Sequence, residues 1–239
     1  MQKRNKAIAD VMKKADEIIV NSEKSNFEVF LKGKNIKREA KLSGTETRSK
    51  INKAYYKKTG IKVGNMANIP GGEAFLTPEY IKGTFYGDVV ISIDQSYMLS
   101  EKEPLVVKAD EKGYKIVSGP KKIIKKLNQE KRNAWKALLE KEKHKSLPQT
   151  LINLKKKNFN KLGEFAINTN PEAELCDYLI VNEKIANMIH IALGSGFDPD
   201  RTTEYHYDIV INAKKQKMDI YGVKGKQEFW ILKKGKFVI

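Results

Sequence analysis

At 239 residues and 40% hydrophobic composition, the chain has enough material for a sizeable core in one large domain or two small ones. It holds no run near the roughly 18–20 apolar residues of a membrane span, its charged opening MQKRNKAIADVMKKADEIIV lacks a secretory core, and a single cysteine, Cys176, excludes an internal disulfide; a cytoplasmic protein is expected. The formal charge of +17 raises a polyanion partner, yet it is carried almost wholly by dispersed lysines, with Arg4, Arg38, Arg48, Arg132 and Arg201 the only arginines, a pattern closer to a solvated surface.

Residues 5–16, NKAIADVMKKAD, have the amphipathic spacing of a short helix and lead into two strand-like runs, EIIV and FEVFLKG. Residues 34–67 are polar and mixed, and no element is predicted there. Between 80 and 118, TFYGDVVISID, EPLVVKAD and GYKIVSG are short β runs, with Glu111-Lys112-Gly113 as a hairpin turn. The period then changes. Pro120 opens a helix with Ile123, Ile124, Leu127, Ala134 and Leu138 on one face and Lys and Glu on the other, including Glu140 and His144. Pro148 breaks it, and QTLINLKKKNFNKL reads as further helix. GEFAINTNP begins an irregular region, NEKIANMIHIAL is a helix or a strand before GSGFDPD, and the remainder is a run of short strands turning at Gly222 and Gly235. The pattern predicts an α+β fold, a large mixed, mostly antiparallel sheet with inserted helices, over 1–239 as a single domain with a Lys-rich helical insertion at 120–162.

In YHYDIVI, alternation puts Glu204, His206, Asp208 and Val210 on one strand face and Tyr205, Tyr207, Ile209 and Ile211 on the other. One face is core; the other gathers an imidazole and carboxylates, either as an ion pair or as half of a metal site. Of the three histidines, His144 sits among Lys and Glu as a surface residue, whereas His190 in MIHIALG is flanked by isoleucines. Glu73 in NIPGGEAF and Glu164 in KLGEFAI follow glycine and precede small or aromatic apolar residues. A carboxylate in such surroundings needs a partner, since an unpaired buried charge is costly. A lysine or arginine is one such partner. Two Glu, two His and one Asp also match the ligand set of a paired divalent-metal site.

NIPGGEAFLTP, LGEFAINTNP, NEKIANMIHIALG and YHYD, in that order, resemble the motif series of the thermophilic metallo-aminopeptidases, the aminopeptidase T and aminopeptidase S family. The resemblance runs from about residue 10 to the end. It implies a metal-binding domain of the thermophilic metalloprotease type, with Glu73, Glu164, His190, His206 and Asp208 as ligands of two divalent ions; Zn, Co and Mn all suit these N and O donors. The implied activity is removal of N-terminal residues from peptides by a homodimeric hydrolase. Glu164 is the expected proton shuttle, Glu183 a candidate for binding the substrate amine, and Arg201 a candidate electrophile.

Phe197 stands where the family has a catalytic tyrosine, the family's additional N-terminal α/β domain is not matched, and the Lys-rich stretch is longer than the family's link between the two glutamate motifs. Two further readings stand beside the peptidase. The 2,5-dihydroxypyridine dioxygenases are similar over the later motifs, which implies one Fe(II) on His190, His206 and Asp208 with Glu73 and Glu164 unneeded. The third is a catalytically degenerate binding module that meets polyanions through its lysines.

Overall fold

Alternating burial marks Glu17–Asn21 (β1) and Asn26–Phe30 (β2) as strands with one covered face, whereas Leu162–Asn168 (β10) and Ile189–Gly194 (β11) are buried along their whole length. The computed structural model describes residues 1–33, 37–43, 57 and 70–239, and its strands form two sheets. Helix α1 (Gln2–Lys14) precedes β1. After β2 come β3 (Lys41–Ser43), β4 (Glu73–Leu76), β5 (Tyr80–Gly87), β6 (Val90–Ser92), β7 (Ser96–Met98), β8 (Leu105–Asp110) and β9 (Gly113–Ser118). Helices α2 (Lys121–Lys143) and α3 (Gln149–Asn158) lead to β10, the short α4 (Leu179–Asn182) and β11. A 3-10 turn at Pro199–Arg201, then β12 (His206–Ile211), β13 (Asp219–Lys224), β14 (Gln227–Lys233) and β15 (Lys236–Phe237) complete the order.

One sheet runs β15-β14-β13-β1-β2-β5-β8-β9 and the other β3-β4-β10-β11-β12-β6-β7, and every pairing between these strands is antiparallel. The predicted helix-inserted, antiparallel α+β architecture is the one observed, with its strands divided between two sheets instead of gathered in one. The only parallel feature among the described residues is a lone bridge between Asn170 and Ile185. Most of the 34–67 stretch, Arg48 included, lies outside the described residues, and β3 falls in the part that is described. The predicted hairpin is β8–β9. Asp110 Oδ1 accepts the backbone N–H groups of Lys112 and Gly113, and Gly113, at φ +146°, lies so close to the Asn160 carbonyl that no side chain fits. Among the described residues, no helix is long and apolar enough to cross a membrane.

The sheets face each other across one apolar core. Phe27 of β2 meets Phe165 of β10 edge-on with ring centroids 6.2 Å apart. Gly87 of β5 is pressed against Ile209 of β12, and a Cβ at position 87 would run into Ile209 Cγ2. Gly87→Ala is therefore expected to lower stability by about 1–3 kcal/mol through overpacking, read as a lower urea midpoint at unchanged slope. An unshifted midpoint would mean that the sheets part freely here.

The Lys-rich insertion docks through Ile123, Leu127 and Leu138 of α2. Beside them Trp135 packs on Phe159 at 4.8 Å, and Phe159 packs on Tyr205 at 5.0 Å. His144, as expected, is exposed, 3.3 Å from Glu140.

Candidate metal centre

Four neighbouring strands of the seven-stranded sheet build the site on the face turned away from the core. On β10, Phe165 and Ile167 enter the core, so Glu164, Ala166 and Asn168 take the other face. On β11 the core takes Ile189, Ile191 and Leu193 and leaves His190, Ala192 and Gly194; on β12, Ile209 and Ile211 leave His206, Asp208 and Val210. The register then aligns them. Asn168 is opposite Glu73 of β4, Ala166 opposite His190, Glu164 opposite Ala192, Ala192 opposite Asp208, and Gly194 opposite His206. Ala166, Ala192 and Gly194 alternate with the long polar side chains and leave room for them to converge.

They do converge. Glu164 lies between the two imidazoles, its Oε1 3.4 Å from His190 Nε2 and its Oε2 3.4 Å from His206 Nε2. Glu73 Oε2 is 3.6 Å from His190 Nε2, and Asp208 Oδ1 is 3.2 Å from His206 Nε2. Two groups of donor atoms result, Glu73–Glu164–His190 and Glu164–His206–Asp208, the atoms of each within 4.8 Å of one another. Glu164 belongs to both. All are buried except His206, whose side chain keeps 30% exposure and so marks the approach from solvent.

The second atoms of the rings are held. His206 Nδ1 donates to the Ser195 carbonyl at 2.7 Å, and His190 Nδ1 is 2.8 Å from Asn168 Oδ1. Each bond leaves Nε2, the atom that faces the carboxylates, as the ring's lone-pair donor when the imidazole is neutral, which is how a metal-binding histidine is oriented. Asp208 Oδ1 is buried without a hydrogen-bond donor; its approach to His206 is a close charge contact, not an aligned bond. An orphaned carboxylate oxygen beside the oriented His206 nitrogen, with Glu164 shared between the two donor groups, fits a divalent cation of the Zn, Co or Mn kind.

The protonic state is set by burial and by the crowd of charges. Burial alone would lower the His190 imidazole, but the Glu164 carboxylate beside it and the charges of Glu73 and Asp208 raise it to about 9. Burial likewise opposes protonation of His206, but Asp208 and then Glu164 raise it to about 10. Asp208, despite burial, is held well below the usual carboxylate range by His206. Burial pushes Glu183 up to about 8, with the Asp208 charge adding to the shift, and pushes Glu73 up against the opposing charges of Lys184 and His190.

Lys184 was visible in the sequence only as a neighbour of Glu183. Its side chain is 2% exposed, with Nζ 2.7 Å from Glu73 Oε2 and 3.4 Å from Glu183 Oε2. The segment after α4 delivers it to the sheet face, where Asn170 N–H donates to the Lys184 carbonyl and Ala186 N–H to the Asn170 carbonyl. Three carboxylates, Glu73, Glu164 and Asp208, thus face Lys184 and the two imidazoles, with Glu183 beside Lys184.

Other expected residues lie apart from this cluster. Glu204 precedes β12 and pairs with Lys141 and Lys155. Arg201 donates to the Glu79 carbonyl at 2.7 Å and pairs with the Glu79 carboxylate at 3.0 Å, in a network in which Arg38 also binds Glu79, Asp198 and Asp200. Phe197 stays near the opening, half exposed, with its ring edge-on to His206 at 5.6 Å and to Phe75 at 5.1 Å.

No protein-family model and no curated protein matches the chain. Solved structures do. AmpT from Thermus thermophilus matches with a TM-score of 0.59 at 14% identity, over 100% of this chain and 55% of AmpT. The 2,5-dihydroxypyridine dioxygenase from Pseudomonas putida KT2440 matches with a TM-score of 0.65 at 15% identity, over 99% of this chain and 59% of the dioxygenase. The chain therefore spans little more than half the length of either, and at these identities the likeness is one of fold.

Proposed function

We propose that the chain is a metal-dependent hydrolase of the aminopeptidase kind, with two divalent ions held by Glu73, Glu164, His190, His206 and Asp208. The observation that carries this reading is the position of Glu164, whose two oxygens face different imidazoles, so that two ligand groups share one bridging carboxylate. The ordered series of motifs and the fold likeness to AmpT support the same reading. A bound pair of cations supplies an acidified water and a polarised carbonyl. The protein's own part is to fix both imidazoles through Ser195 and Asn168 and to exclude water from all but the His206 side. Arg201, committed to Glu79, has no part in this proposal, and Phe197 offers a substrate an apolar wall without a hydroxyl.

One observation favours a single cation. Lys184 already places a positive charge on Glu73, which leaves His190, His206 and Asp208 as the two-His-one-carboxylate set of an Fe(II) dioxygenase. Charge counting separates the two readings. One divalent ion in exchange for two imidazole protons leaves the charge of the cluster unchanged. A second adds two positive charges, for which Glu183 is the nearest further carboxylate.

Metal content of the purified chain, beside that of His206→Ala, tests this. About two divalent ions per chain, both lost or weakened in the variant, together with release of amino acid from aminoacyl anilides, supports the hydrolase. One iron per chain supports the dioxygenase, and no metal after reconstitution removes both. Because imidazoles raised to about 9 and 10 are protonated at neutral pH, cation binding must displace their protons. Affinity is therefore expected to rise steeply with pH between about 6 and 8, with about two protons released per first cation, measured by titration calorimetry in buffers of different ionisation enthalpy.

A further inference from the structure

The lysines, expected to be dispersed, are concentrated in one segment. Residues 121–161 contain fourteen Lys or Arg against three Glu, a net of +11 of the chain's +17. Within this insertion the cations divide by position. Those facing the body are engaged: Lys126 with Asp94 and Glu130, Lys131 with Asn160 and the Tyr114 ring, Lys141 and Lys155 with Glu204, and Lys156 with Glu142. Of the exposed cations on α2, Lys122 stands to one side; the other five, Lys121, Lys125, Arg132, Lys136 and Lys143, pair with no carboxylate among the described residues. At 3.6 residues per turn these five fall within about 60° of arc, opposite Ile123, Leu127 and Leu138. The helix has 23 residues, so the row is about 33 Å long, close to one turn of a nucleic-acid duplex.

We propose that this outward face of α2 is a docking surface for the phosphate backbone of double-helical nucleic acid. A straight row of unpaired cations matches a line of phosphates, and four lysines to one arginine suit phosphate contact without base reading. The row offers only one exposed apolar residue, Leu139, and no aromatic. It therefore lacks the apolar flank by which a surface helix enters lipid, the anchors of a protein interface, and the stacking platforms for unpaired bases. This surface is independent of the metal cluster.

The test is fluorescence anisotropy of a labelled 20-base-pair duplex of arbitrary sequence with the full chain across a salt series. With five phosphates neutralised, log K is expected to fall against log salt with a slope near 4.5, about 500-fold between 50 and 200 mM. Replacing all five residues by alanine, which keeps the helix, should bring the slope below about 1, and each single replacement should lower it by about 1. The control variant changes five exposed lysines elsewhere, Lys102, Lys112, Lys115, Lys224 and Lys226, to alanine and should bind as the parent does. Equal loss in the control would assign binding to net charge and overturn the proposal. So would absence of binding at 50 mM salt, or preference for phosphatidylserine vesicles over the duplex at matched charge.

Discussion

Glu164→Gln is expected to disable both halves of the proposed metal centre at once. The substitution keeps the size of the side chain and removes the charge that lies 3.4 Å from each imidazole. An amide oxygen still ligates weakly, but it cannot bridge two cations, so content should fall from about two ions per chain to below one. Turnover of aminoacyl anilides should drop by about 1,000-fold or more, equivalent to about 4 kcal/mol of transition-state stabilisation. Elemental analysis and steady-state kinetics on one preparation read the two effects together. Loss of a single ion with most activity retained would give Glu164 to one group only and end the bridging role.

The second large effect belongs to Lys184 and is one of stability. Lys184→Met retains the apolar stem and leaves Glu73 buried without its nearest cation. Breaking such a pair from one side costs about 3–5 kcal/mol, which for a chain of this size lowers the melting temperature by about 10 °C. The loss should be seen in chelator and should shrink in excess divalent ion, because a cation on Glu73 then replaces the ammonium. Parent and variant melting together in chelator would show that Glu73 is uncharged in the cation-free protein. The charge count above would then have to be redrawn.

Alternation made His206 and Asp208 legible in the sequence, while Glu73, Glu164 and His190 stood out only by their apolar neighbours. HYDIVI reads as a strand with His206 and Asp208 on its outer face, whereas GEFAIN, expected to begin an irregular region, and IHIALG, left between helix and strand, are the strands β10 and β11, with large apolar residues on one parity and Glu164 and His190 on the other. Their convergence needed register, which follows from pairings between distant segments and not from any local pattern. Lys184 was obscured for a related reason. In NEKI it stands beside Glu183 as one more surface pair, and only the bridge from Asn170 to Ile185 turns it inward. Glu204 shows the opposite failure. It has the parity of His206, but the strand begins after it and two lysines of the insertion hold it. The division into two sheets was likewise hidden, since β1 finds β13 some two hundred residues away.

That last pairing bears on how the chain is made. Strand β1 is flanked by β2 and β13, so one of its edges has no partner until residues 219–224 have been synthesised. At ribosomal speeds of about 5–20 residues per second, the interval is about 10–40 s. Throughout it Ile18 and Val20, fully buried in the finished sheet, belong to a hairpin open on one side. The eight-stranded sheet is completed late and by long-range contact, which is slow and exposes an edge to neighbouring chains. Nascent-chain chaperones should therefore engage this protein at the β1–β2 hairpin.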